Sequence, residues 1–257
     1  MALFDKLRRK AEPGAPIKPA APKGARIYAI GDVHGRADLL EKMHAAILDD
    51  SAGYDGEKQV VYLGDFIDRG MESRQVLDIL LERPLPGFES VYLMGNHEYA
   101  LLNFLDDPES ISGWLSWGGR ETLYSYGIKC GLSPSPEELQ NLARELAITM
   151  PAGHVELIEN SRLCHHAGGY YFVHAGVRPG VPIEDQRFED QLWIREPFIS
   201  SEANHGAVVV HGHTINEEIT QTPSRIGLDT GAYYTGILSC LVLEGEEQRF
   251  LQTGAPE

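Results

Sequence analysis

Five short apolar runs punctuate this chain, and each stops at glycine and ligand-type residues. Residues 26–30, 59–63, 90–94, 170–173 and 207–210 are rich in β-branched and aromatic side chains and bounded by turn formers, the pattern of buried strands. Between them the apolar spacing changes. Residues 38–48 and 72–83 repeat every three to four positions, as helices do. Ser135, Pro136 and Glu138 write a helix start with a capping hydroxyl, a proline at the first helical position and a capping-box glutamate. Leu139, Leu142 and Leu146 then share one face. Strands alternating with helices predict an α/β class, with one domain over residues 25–257 and a mainly helical insert at about 99–169 that would wall the cleft.

The first two dozen residues break this pattern. Residues 1–10 are basic and mildly amphipathic, and residues 11–24 are rich in alanine and proline, which reads as a flexible tail. Its sharper reading is weak docking to a partner. The plainer and favoured one is an extension that binds nothing, or only its own acidic domain.

Composition narrows the classes. The 257 residues are 42% hydrophobic, enough for one substantial core. Three cysteines without a paired spacing argue against a disulfide framework and for a reducing compartment. No apolar stretch approaches the roughly 20 residues that span a bilayer, and no signal-peptide core is present, so the expected location is the cytoplasm. A net charge of −16 disfavours nucleic acid, whose recognition needs a basic stripe.

The candidate chemistry lies where the runs end. There the chain reads Gly31-Asp32-Val33-His34-Gly35, Gly64-Asp65-Phe66-Ile67-Asp68-Arg69-Gly70, Gly95-Asn96-His97-Glu98, His174-Ala175-Gly176 and His211-Gly212-His213-Thr214. Ligands at strand C-termini converge, because α/β sheets open their crevices there. Mixed imidazole, amide and carboxylate donors without thiolate suit two divalent ions, manganese first with iron or zinc as alternatives. A carboxylate can bridge such ions about 3.5–4 Å apart, the spacing at which a shared water becomes a hydroxide nucleophile. Asp65 is the candidate bridge.

From about residue 25 to 243 these motifs, in this order, resemble the PPP family of metal-dependent phosphoprotein phosphatases in its bacterial and phage-like branch, within the calcineurin-like metallophosphoesterases. The resemblance implies a sandwich of two mixed β-sheets flanked by helices. It implies one metal on Asp32, His34 and Asp65 and a second on Asp65, Asn96, His174 and His213. It also makes His97 the acid that protonates the leaving oxygen, with Asp68 orienting it, a pairing that independent chemistry supports. Arg69, Arg195 and Asn96 would hold the phosphate, guanidinium being suited to phosphoryl oxygens. Ile215 stands where many other metallophosphoesterases carry a further histidine, which leaves His211 a structural or supporting role.

The implied activity is hydrolysis of phosphoserine or phosphothreonine, with phosphotyrosine as a further option, in a phosphoprotein partner. His174-Ala175-Gly176 and residues 227–232 also resemble dinucleoside polyphosphate hydrolases, the alternative. An inactive phosphoprotein-binding scaffold is a remote third reading, opposed by the complete ligand set. Among the other residues, Cys164-His165-His166 reads as an exposed loop and Trp114 and Trp117 as helix packing. Tyr233 and Tyr234 divide evenly between a groove wall and a core or edge position.

Overall fold

A computed structural model describes residues 19–254, so the basic segment at residues 1–10 lies outside the described residues. In chain order the strands are β1 (Ala25–Ile30), β2 (Glu57–Tyr62), β3 (Glu89–Tyr92), β4 (Cys164–Ala167), β5 (Tyr170–Val173), β6 (Val208–His211), β7 (Thr220–Gln221), β8 (Arg225–Gly227), β9 (Ser239–Glu244) and β10 (Glu247–Gln252). The helices are α1 (Ala37–Asp50), α2 (Ser73–Glu82), α3 (Asn96–Asp106), α4 (Gly119–Ser125), α5 (Pro136–Thr149), α6 (Ala152–Glu159), α7 (Phe188–Trp193) and α8 (Ala232–Thr235). One sheet runs β10-β9-β1-β2-β3 and the other β4-β5-β6-β8-β7. The fold is the expected pair of mixed sheets flanked by helices.

Alternation along the strands explains the layers. Ile27 and Ala29 face the second sheet, meeting a core that includes Leu63, Leu241, Phe172 and Val210. Tyr28, Ile30, Val60 and Tyr62 point the other way, into a core shared with Leu40 and Met43 of α1 and Val76 and Leu80 of α2. Strands covered on both faces need apolar residues at every position, which is why they stood out as continuous runs. Each large side chain so buried contributes roughly 1.5–3 kcal/mol relative to exposure.

Register then places the site. β1, β2 and β3 pair in parallel, with Ile30 opposite Tyr62 and Tyr62 opposite Tyr92, so the three strands end side by side. β5, β6 and β8 also run parallel, and the Gly212 N–H donates to the His174 carbonyl at 2.8 Å. Both sheets therefore deliver their motif loops to one edge of the sandwich. No helix among the described residues is long and apolar enough to cross a membrane.

Two expectations change. Cys164-His165-His166 is not an exposed loop but part of β4, antiparallel to β5. Gly168 and Gly169 close that hairpin, while His165 stacks on Phe172 at 5.9 Å and bonds Gln59 at 2.8 Å. Trp114 and Trp117 do not share a packed face. They lie on a 3-10 turn, Ser112–Trp117, not on an α-helix, and their rings meet different partners, Phe104 for Trp114 and Trp193 for Trp117. Trp114 is fully buried, whereas Trp117 is 39% exposed. The predicted α5 start is present, with Ser135 and Glu138 each accepting the other's N–H.

Candidate metal centre

Asp65 sits in the loop after β2 with both carboxylate oxygens aimed at imidazoles. Its Oδ2 lies 3.4 Å from His34 Nε2 and its Oδ1 3.4 Å from His174 Nε2, so one side chain faces both halves of the proposed ligand set. Glu98 fixes the loop. Its Oε2 accepts the N–H groups of Asp65 and Gly95 at 2.8 and 3.0 Å, and its Oε1 those of Phe66 and Ile67 at 2.8 and 3.3 Å. Burial and the charge of Asp65 push the Glu98 carboxyl up to about 8, against these donors. The role was hidden in the sequence because Glu98 acts on a loop some thirty residues earlier.

The second half is the more closely assembled. Asn96 Oδ1 lies 2.9 Å from His174 Nε2 and 2.8 Å from His213 Nδ1. His174 Nδ1 donates to the Leu63 carbonyl at 2.9 Å, and burial holds this imidazole below its ordinary pKa. The neutral ring therefore turns a bare Nε2 lone pair toward an amide oxygen, two acceptors with no proton between them. A cation resolves that conflict. His213 is pushed down to about 3 by burial and by His174, so it too is a neutral donor.

The first half repeats the arrangement. His34 Nδ1 donates to the Ile67 carbonyl at 2.8 Å, and its buried Nε2 has no partner of its own. Asp32 Oδ2 accepts the His213 N–H at 2.9 Å, while Oδ1 is buried without a partner. Gly212 is required here, because a Cβ at that position would overlap Asp32 Oδ1. Asp229, which the sequence left unassigned, stands behind Asp32. Burial together with the charges of Asp229 and Asp65 raises the Asp32 carboxyl. Burial raises that of Asp229 to about 6. Clustered carboxylates with orphaned lone pairs are a fit for divalent cations. Among the described residues, donor atoms lie within reach of one ion in two groups, His34 with Asp65 and His97, and Asp65 with His174 and His213. Asp32 and Asn96 adjoin them through His213, so the residues present would fit one metal on Asp32, His34 and Asp65 and another on Asp65, Asn96, His174 and His213.

Backbone geometry marks the same residues. Among the described residues, the non-glycine positions with positive φ are His34, Asp65, Asp68, Arg69 and His213. This conformation costs side-chain-bearing residues energy and clusters at functional sites.

His97 opens α3 beside the ligands. Its Nδ1 lies 2.6 Å from Asp68 Oδ2, and its Nε2 faces the cleft, 3.8 Å from Asp65 Oδ2 and 3.3 Å from Arg69 Nη2. Burial alone would lower the imidazole pKa. Asp65 and Asp68 outweigh burial and raise it to about 9. Asp68 is itself held, with Trp114 Nε1 donating to Oδ2 at 2.7 Å and Thr122 Oγ1 to Oδ1 at 2.5 Å. Trp114 packs as predicted and also carries this hydrogen bond, which no periodicity could reveal.

Arg69, Arg195, Asn96, His97 and His213 line one cleft of about 660 Å³ with Trp117, Trp193 and Tyr233. Arg69 Nη1 has no partner and Arg195 is exposed, so both have donors to give. Tyr233 is thereby a groove residue. His211 is fully buried against Phe198 and stays neutral, lowered to about 4 by burial, and lies outside the ligand set.

Fold and ligand geometry together define a metal-dependent phosphoesterase. The chain belongs to the calcineurin-like phosphoesterase family, whose sequence profile matches residues 25–237. It is 24% identical over 238 residues to the asymmetrical bis(5'-nucleosyl)-tetraphosphatase PrpE of Bacillus thuringiensis strain Al Hakam, covering 82% of this chain and 88% of that protein. A solved putative diadenosine tetraphosphatase superposes with a TM-score of 0.61 at 22% identity, over 90% of this chain and 98% of the other. A point mutant of a cold-active protein tyrosine phosphatase gives 0.59 at 17% identity, over 91% and 80%. The two structural likenesses speak to the fold.

Proposed function

We propose that this hydrolase is a phosphomonoesterase acting on phosphorylated serine, threonine or tyrosine side chains of proteins. The observation that carries the reading is the His97–Asp68 pair at 2.6 Å. An alkoxide leaving group needs a proton, and a buried imidazole backed by a carboxylate holds one at neutral pH. Two divalent cations, manganese first among the candidates, would when bound supply an ionised water and positive charge at the phosphoryl group. The chain does the rest. Arg69 and Arg195, with Asn96, orient the phosphoryl oxygens, His97 Nε2 delivers the proton, and Asp68 fixes the ring and steadies its charge.

A second reading, hydrolysis of dinucleoside polyphosphates, is favoured by the activity named for PrpE. Its leaving group is a phosphate, stable without prompt protonation, so it gives His97 less to do. Phosphate release from phosphopeptides, compared with turnover of diadenosine tetraphosphate in the presence of manganese, decides between them, with Asp65→Asn as blank. A higher kcat/KM for a phosphopeptide is expected; a dinucleotide ahead by orders of magnitude overturns the proposal. Replacing His97 with alanine should cost about 10²–10⁴ on alkyl phosphates and less on aryl phosphates. Equal losses on both would remove His97 from the acid role. A cytoplasmic location belongs to the same proposal. The basic tail keeps its favoured role as an extension without docking, so removing residues 1–10 alone should leave turnover of a protein substrate unchanged, and a loss would reveal docking. Residues 20 and 21 stay in place, because Ala21 is buried between the sheets and the Ala20 carbonyl accepts the Gly169 N–H.

A further inference from the structure

The proposed phosphate site lies between aromatic faces to which the chemistry above gives no task. On the His213 side, Trp193 stands at 87° to the imidazole with ring centres 6.4 Å apart, and Trp117 meets Trp193 edge to face at 5.9 Å. Trp193 and Trp117 are 37% and 39% exposed, although indoles are usually well covered. On the His34 side, Tyr233 stands at 83° to that imidazole at 5.8 Å, with the Arg69 guanidinium 5.0 Å from its ring centre. All three open on the cleft that holds Arg69 and Arg195. Phosphate-gripping cations and uncovered aromatic faces therefore share one opening.

We propose that Trp193, supported by Trp117, receives the aromatic ring of a phosphotyrosine side chain, which would give this site a preference for tyrosine phosphate over serine or threonine phosphate. The inference rests on the phosphomonoesterase reading and names its substrate class. Proximity decides which ring fits. Trp193 adjoins His213, a proposed metal ligand, so a ring beside it must be joined to the phosphate by a single oxygen. Tyrosine phosphate meets that condition, whereas a nucleobase is held away by its ribose. Serine and threonine phosphates present only a short aliphatic stem, which gains little from an indole. Edge-to-face or offset contact between aromatic rings is worth about tenfold in binding.

The test measures kcat/KM for one peptide sequence carrying either phosphotyrosine or phosphothreonine, using the full chain with manganese. Wild type should favour phosphotyrosine. Trp193→Leu should cost the phosphotyrosine peptide about tenfold more than the phosphothreonine peptide, mostly through KM, and Trp193→Phe should recover most of that difference. Trp117→Leu, at an exposed position, should shift selectivity in the same direction by less. A wild type that prefers phosphothreonine, or variants that leave the ratio unchanged, would overturn the proposal. So would equal losses on both peptides with fewer metal ions bound, because Trp193 would then only position His213. Failure of the phosphomonoesterase reading looks different: neither peptide releases phosphate above the Asp65→Asn blank while diadenosine tetraphosphate is turned over, and the slot falls with it.

Discussion

His34 and His174, one in each half of the proposed ligand set, and His97, whose ring lies 4.7 Å from that of His34, share one local geometry and end with opposite chemistry. Each ring's Nδ1 is engaged and its Nε2 faces the centre of the site. For His34 and His174 the Nδ1 partner is a backbone carbonyl, of Ile67 and Leu63, and burial drives both rings below the ordinary imidazole range. For His97 the partner is the Asp68 carboxylate, and the ring is raised to about 9. A neutral partner leaves Nε2 a lone pair for a cation, and a charged partner leaves it a proton to give. The acceptor behind a histidine thus decides whether it serves as ligand or acid.

The largest effect should come from Asp65→Asn, which removes the charge that both groups of histidines face. Partners one step behind a ligand already cost 10–100-fold, so loss of the bridging carboxylate should exceed about 100-fold in phosphate release, with fewer than two metals per chain by elemental analysis. Asp68→Asn tests the comparison directly by giving His97 a neutral partner. Its titration, followed by NMR on the metal-free protein, should fall from about 9, and alkyl phosphate turnover should drop by about 10²-fold or more with aryl phosphates affected less.

Opposite pKa shifts also give opposite slopes of stability with pH. His97 rises from the ordinary 6.5 to about 9. Its contribution is complete below about 6.5 and disappears as pH rises through about 9. His213 drops from 6.5 to about 3, and its contribution, complete above about 6.5, is lost as pH falls toward 3. In melting curves of the metal-free protein, His97→Gln should flatten the alkaline slope and His213→Gln the acid slope. The converse pattern would break the comparison. The smallest effect belongs to Thr122→Val, which removes one donor from Asp68 and should cost about 1–3 kcal/mol of stability. Its turnover loss should be confined to alkyl phosphates.

The sequence revealed those parts of the site that are local. Asp32, His34, Asp65, Asn96, His174 and His213 each follow an apolar run, and a strand end followed by a ligand is visible in a few residues. Asp229 and Glu98 lie in segments that stood out, but their roles were not visible, because each gains its meaning from a loop distant in the chain. Trp114 was half legible: burial follows from its apolar surroundings, but a hydrogen bond from its indole to Asp68 depends on where the 3-10 turn places the ring. In the fold, β4 was missed because Cys164-His165-His166 lacks the β-branched content of its neighbours. Its pairing with β5 supplies the order that composition does not. β9 and β10 form a hairpin at Gly245 and Glu246, yet contribute no ligand, so nothing in the motif order drew attention to them.

The proposed ligands come from both sheets, Asp32, His34 and Asp65 from loops after β1 and β2, and His174 and His213 from loops after β5 and β6. Cations bound among them would therefore fasten one half of the sandwich to the other. Binding that requires both sheets in place draws the folded state away from any form in which they part, by an amount that grows with free metal concentration. The protein's heat tolerance should accordingly follow the metal supply around it, and a chelator should loosen the seam between the sheets before it disturbs either sheet alone.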